Sequence, residues 1–189
     1  RKPYQQLHFF YHQLCPDCAA FNYSKRDEDA DMTNMVCLVT GARTKIGFRC
    51  ALKLLRCGAT VIATTRFPVD ATKRYVEEPD AQKWIHRLHV YGLDFRDLAK
   101  LEAFCVFLEK SLDRLDVIIN NACQTIRRPP AYYQHMLQDE EVYQKAAAEM
   151  AANESNDVPL AAKLLLSNAK FSSTLQTDMT KSCTTNSLL

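Results

Sequence analysis

The chain has 189 residues, 47% hydrophobic and 24% charged, with a net charge of +2 and a pI near 8.1. These values suit one soluble globular domain. They exclude the strong electrostatic footprint of a nucleic-acid binder or of a protein held on an anionic membrane, and no apolar run approaches the roughly 20 residues that span a bilayer.

Residues 1–34 differ in character from the rest of the chain. Two Cys, two His and six aromatics precede the charged run KRDEDAD, which reads as a linker. The opening RKPYQQLHFF has no initiator Met and no uninterrupted apolar core, so it is no secretory signal. It reads as a point where an upstream segment has been lost.

Within this segment lies Cys15-Pro-Asp-Cys18. A C-x-x-C offers two thiolates at the bite of structural zinc, and Pro after the first Cys suits a knuckle turn, so Cys15 and Cys18 are candidate metal ligands. One such pair is half a site. The other half is either His8 and His12 or a second cysteine pair upstream of Arg1. The upstream pair is favoured, because His8, His12 and Cys15 are too close in sequence to wrap one tetrahedral ion without strain. Two other readings stand beside zinc: a redox dithiol, which belongs after a strand and at a helix N-terminus, and a pair of unliganded thiols in an aromatic cluster.

The chain has eight cysteines. Cys37, Cys50, Cys57 and Cys105 fall among apolar residues of expected core strands and helices, where free Cys behaves as a small hydrophobe. A chain this long does not need covalent staples. The reading is a reducing compartment, the cytoplasm or another.

From Met35 a regular alternation begins. MVCLVT is a short apolar run ended by a glycine turn, as a buried parallel strand should be. Ile46, Cys50, Ala51, Leu54 and Leu55 then fall at helical spacing, and Cys57-Gly58 ends that helix. ATVIATT is the second strand, DATKRYVEEPDAQKWIHRL a helix-prone crossover interrupted by Pro79, and LHVYGLD the third strand. Leu98, Leu101, Phe104, Cys105, Leu108 and Leu112 share one helical stripe, and LDVIIN is the fourth strand. Strands alternating with helices make this an α/β chain: a Rossmann-like, doubly wound parallel sheet, incomplete at four strands, with a small N-terminal CxxC segment.

Past the fourth strand, QTIRRPPAYYQHM carries Arg127 and Arg128, placed to meet an anionic substrate or partner, and Tyr132, Tyr133 and His135, placed to line a pocket. The blander reading is a solvated loop and an ordinary helix start set by Pro129 and Pro130. EEVYQKAAAEMAA and LAAKLLLSNAK are helix-prone, and the Ser/Thr-rich end reads as mobile. The segments are 1–34, 35–128 and 129–189.

Two of the four glycines, Gly41 and Gly47, join the first strand to the first helix. That is where a dinucleotide pyrophosphate binds, on the positive end of the helix. Gly41 permits the tight turn and Gly47 close approach at the helix start.

With these residues the chain resembles the short-chain dehydrogenase/reductase family. TGARTKIG matches that family's Thr-Gly-x-x-x-Gly-x-Gly loop at its first pair and a later glycine, with Lys45 where another is often found. LDFRD comes after the third strand, where the family's adenine-contacting Asp would be Asp94. INNAC ends the fourth strand, matching Asn-Asn-Ala-Gly with Cys123 replacing the glycine, and TTR ends the second. The resemblance covers roughly residues 34–128. It implies cofactor contacts at Gly41, Arg43, Lys45, Ile46, Gly47, Arg66, Asp94, Asn120 and Ala122.

An NAD site usually carries an acid after the second strand to hold the ribose 2′-hydroxyl. This chain has Arg66 there, with Arg43 and Lys45 in the loop, which favours NADP(H) through a 2′-phosphate. The alternative is that these are solvated surface cations.

The resemblance also implies a catalytic Ser on a fifth strand and a Tyr-x-x-x-Lys pair on a later helix, with the Tyr as general acid/base. None of the eight tyrosines has a lysine four residues on, and no fifth strand with such a serine is recognisable. No catalytic residue is assigned. The fourth strand is thus expected to leave an apolar sheet edge, to be covered by further chain beyond Leu189, by the tail or by a protein partner. Two functions fit: the cofactor half of an NADP(H)-dependent oxidoreductase acting on a carbonyl or alcohol, or a non-catalytic scaffold in a larger assembly.

Overall fold

A computed structural model describes residues 3–123 and 128–152. Arg127, LAAKLLLSNAK and the Ser/Thr-rich end lie outside them. The chain divides into two compact units, one ending at Asp31 and the other beginning at Met32.

In the first unit, Pro16–Ser24 form helix α1, with Cys15 at its N-cap and Pro16 in its first turn. Proline suits that place because its missing N–H would have had no helical partner. Rings before the helix pack on residues in it and just after it: Phe9 lies edge-on to Tyr23 at 4.9 Å, and the Arg26 guanidinium sits 4.3 Å over Phe10.

The second unit alternates strictly. Strand β1 is Val36–Thr40, helix α2 Lys45–Arg56, β2 Thr60–Thr65 and α3 Pro68–Val76. Two short 3-10 turns, Ala81–Lys83 and Ile85–Arg87, come after the break at Pro79. Then come β3, Leu88–Gly92, α4, Leu98–Ser111, and β4, Val117–Ile119. A 3-10 turn at Pro130–Tyr133 leads into α5, Gln134–Ala152, six residues earlier than the helix-prone run at Glu140 suggests. The two prolines and the tyrosines make the extra turn.

All pairing is parallel, in the order β3-β2-β1-β4. β1 runs against β2 from Val36–Thr60 to Thr40–Thr64, and against β4 at Cys37–Val117, Leu38–Ile118 and Val39–Ile119. This is the expected Rossmann-like sheet.

Alternation along each strand sorts side chains to two faces. Cys37, Val39, Val61, Ala63, Leu88 and Val90 pack with Ala51, Leu52 and Leu55 of α2, Tyr75 of α3, and Trp84. Ile62 and Tyr91 pack with Phe104 and Leu108 of α4 on the other. Among the described residues two helices cover the first face and one the second, and Val36 and Leu38 are only partly buried there.

Two expected stripes are corrected. On α2 the buried face is Gly47, Phe48, Ala51, Leu52 and Leu55, because Phe48 fills the space against Tyr75 with ring centroids 4.6 Å apart. Ile46 is exposed, and Cys50 and Leu54 lie at the flank. On α4 only Phe104 and Leu108 are buried, while Leu98 and Cys105 are exposed. Of the four cysteines expected in the core, Cys37 alone is buried, and Cys50 and Cys57 are half-buried.

Candidate functional site

The chain leaves β1 at Gly41, whose φ of +67° lies in the left-handed region that favours glycine. The loop is pinned on two sides: the Ala42 amide donates to the Thr64 carbonyl at 3.1 Å, and the buried Tyr75 hydroxyl donates to the Ala42 carbonyl at 2.7 Å. Lys45 also has a left-handed φ of +54°. It stands where the resembled loop often carries glycine, so the backbone keeps the glycine conformation without the glycine. Gly47 is required by contact: a Cβ there would lie 2.5 Å from the Gly41 carbonyl oxygen.

A second set of bonds ties this loop to the end of β4. Asn121 Nδ2 donates to the carbonyls of Thr40 at 3.0 Å and Gly41 at 3.1 Å. The amides of Asn121 and Ala122 both donate to Thr40 Oγ1 at 3.0 Å. Thr40 and Asn121 were not among the expected site residues. The signal was present in the Thr-Gly and Asn-Asn-Ala matches, but only the geometry shows that these two motifs bind each other.

The N-terminus of α2 is left open. Thr44 makes no side-chain cap, and the first turn holds no acidic residue, so free N–H groups and the positive end of the helix dipole remain for an anion. Lys45 and Ile46 are exposed beside it. This donor set fits a dinucleotide pyrophosphate.

Arg43 Nη1 meets Asp70 at 2.7 Å, and Asp70 also accepts from Arg74 Nε at 2.8 Å. Burial opposes the Asp70 charge, but bonds from Arg74 and Arg43 outweigh it and hold the carboxyl below its ordinary value. Arg66, just past β2, lies over the rings of Phe67 at 5.4 Å and Tyr133 at 4.8 Å, and Arg43 shares the Phe67 ring at 5.4 Å. Asp94 lies after β3 and is gripped by Arg96, chiefly through side-chain hydrogen bonds, which lower its pKa. Asn120 and Ala122 are exposed at the end of β4. A Cβ on Gly41 would come within 2.9 Å of the Ala122 Cα, so loop and strand end are in contact. Gly41, Lys45, Gly47 and Ala122 thus converge around one turn, with Arg66 and Asp94 past the same ends of the next two strands.

The family described as short chain dehydrogenase matches residues 35–150. The chain belongs to the short-chain dehydrogenase family. An uncharacterised protein of Acanthamoeba polyphaga mimivirus is 35% identical over 132 residues, 67% of this chain and 28% of that protein. Carbonyl reductase [NADPH] 1 of Sus scrofa is 38% identical over 87 residues, 46% of this chain and 29% of that enzyme. A short-chain dehydrogenase structure from Streptomyces avermitilis aligns with a TM-score of 0.43 at 25% identity, covering 65% of this chain and 43% of that one. The chain spans less than a third of the length of these two curated relatives.

One feature of this short-chain dehydrogenase chain was not legible beforehand. The buried Glu140 of α5 accepts from the Val69 amide at 2.9 Å with both oxygens and from the Asp70 amide at 3.1 Å. A side chain far along the chain thus caps α3. Burial raises the Glu140 pKa despite those bonds.

A groove of about 1060 Å³ borders the loop at Arg43, Lys45 and Ile46 and runs along α2 past Cys50 to Leu54, with Ile119 at its edge. Arg66 and Asp94 do not line it.

The zinc expectation finds no support among the described residues, where no group of three or more His, Cys, Asp or Glu side chains converges. His8 Nδ1 instead accepts from the amides of Phe10 and Tyr11, each at 3.1 Å. Cys15 and Cys18 interact with each other: the Cys18 amide, then its thiol, hydrogen-bond the Cys15 sulfur and lower its pKa. Among the described residues, no helix is long and apolar enough to cross a membrane.

Proposed function

We propose that this chain is the NADP(H)-binding part of a short-chain reductase or dehydrogenase acting on a carbonyl or alcohol. The observation that carries the reading is Arg66, set at the carboxyl end of β2 where an acid would favour NAD. The open N-terminus of α2 with Gly41, Lys45, Ile46 and Gly47 holds the pyrophosphate. Arg66, supported by Arg43, meets the 2′-phosphate, Asp94 the adenine, and Asn120 and Ala122 the cofactor where it passes β4. The bound cofactor supplies or accepts the hydride. The catalytic Ser and Tyr-x-x-x-Lys belong to further chain. The likeness to a carbonyl reductase whose name specifies NADPH supports this reading.

The test is an equilibrium titration with NADPH and NADH. NADPH is expected to bind more tightly, and Arg66→Ala to weaken it about 10–100-fold, the worth of one charge-assisted contact, with NADH little changed. Binding of neither cofactor counts against the proposal.

A second reading is a non-catalytic scaffold whose partner pairs with β4. It is favoured by the outer side of β4, which has no partner strand among the described residues. A stable complex in a chain that binds neither cofactor would establish it.

A further inference from the structure

We infer that Tyr133 is a positioning residue for cofactor choice, holding Arg66 ready for a 2′-phosphate. This rests on the NADP(H) reading.

An arginine has to be restrained to discriminate one anion, because its free side chain loses rotamer entropy when fixed. A carboxylate is the common restraint, and Arg43 has one in Asp70. That arrangement occupies one Arg43 donor and offsets part of its charge. Arg66 is restrained by ring faces, with the Asp94 carboxylate, itself bonded to Arg96, near enough to feel its charge. Phe67 and Tyr133 stack with centroids 5.5 Å apart and planes at 29°, and the guanidinium lies over both. A ring face attracts a cation without taking its N–H groups or cancelling its charge. The fork therefore remains able to pair with a phosphate.

Phe67 comes from the turn that carries Arg66, but Tyr133 arrives from a remote part of the chain. Three contacts fix it. The turn Pro130–Tyr133 is closed by the Tyr132 amide on the Pro129 carbonyl at 3.0 Å. Tyr132 packs edge-on against Tyr133, centroids 5.0 Å apart. Glu140 anchors α5 on the first amides of α3, only three and four residues beyond Arg66. The ring and the arginine are thus referred to the same helix end.

A ribose 2′-hydroxyl gains little from this fork, whereas a 2′-phosphate gains charge-assisted bonds. Loosening Arg66 should weaken NADPH selectively. The experiment measures dissociation constants for NADPH and NADH on the full chain as wild type, Tyr133→Leu and Tyr133→Phe, with thermal melting to confirm folding. Tyr133→Leu is expected to lower the NADPH-over-NADH preference by about tenfold, the scale of one cation–π contact, and Tyr133→Phe to retain it. If wild type prefers NADPH and Tyr133→Leu leaves that preference intact, the inference is overturned and the NADP(H) reading stands. Equal loss in both variants moves the role to the hydroxyl and overturns the ring-face account. A wild type with no preference overturns both.

Discussion

The side-chain nitrogen of Asn121 lies 2.4 Å from where a Cβ on Gly47 would stand. The start of α2 and the end of β4 therefore meet with no room for a methyl group. Gly47→Ala should destabilise the fold by about 1–3 kcal/mol, the usual cost of overpacking. Asn121→Ala should cost about 1–3 kcal/mol by leaving the Thr40 and Gly41 carbonyls without their shared donor. Urea unfolding measures both, and an unchanged midpoint in either variant would contradict the contact.

Lys45 allows stability and binding to be separated. An L-residue in the left-handed region costs about 1–2 kcal/mol, part of which glycine loses again to the greater freedom of its unfolded chain. Lys45→Gly should therefore stabilise the protein by up to about 1 kcal/mol. It should also weaken NADPH several-fold, because a cation beside the pyrophosphate is lost. A variant that is both less stable and unchanged in affinity would refute this account.

Glu140 predicts a pH dependence. Its folded pKa is raised above the ordinary 4.5 by burial, so the folded state binds more protons than the unfolded state just above that value. Glu140 therefore favours folding below pH 4.5, and that contribution falls as pH rises through the folded pKa, then levels. Glu140→Gln should remove this decline. The lowered Asp70 and Asp94 act oppositely, contributing stability above their ordinary 3.8 that is lost as pH falls through their folded values. Thermal melts of wild type and Glu140→Gln across the acid range read both limbs.

At the edge of the sheet that the described residues form, Ile118 of β4 is 55% exposed. An apolar residue on an unpaired edge invites strand addition, and a lysine there opposes it. Ile118→Lys should lower self-association in light scattering while leaving the melting temperature within about 2 °C, since exposed substitutions change stability little. Unchanged association would place the sticky surface elsewhere.

The strands of the sheet were legible because buried parallel strands are continuous apolar runs, and MVCLVT, ATVIATT and LHVYGLD are such runs with glycine or polar boundaries, whereas their order in the sheet came only from the structure. The loop was legible because Gly41 comes directly after its strand. The helix faces were less so: Ile46 and Cys105 have helical spacing, but a stripe fixes only which residues share a side. Which edge of that side is covered depends on the neighbour. Phe48 turned inward on α2 because Tyr75 was there to receive it.

By itself, the sequence determined a parallel α/β chain of the short-chain dehydrogenase family with a cation after β2, since those features reside in local order and spacing. Only the tertiary structure decided that Asn121 locks the loop between β1 and α2, that Glu140 caps α3, and that Tyr133 lies over Arg66 while Asp70 holds Arg43. Those partners lie 27 to 81 residues apart or depend on such contacts. Periodicity and propensity act over a few residues, and carry no record of which distant side chain will fill a given place.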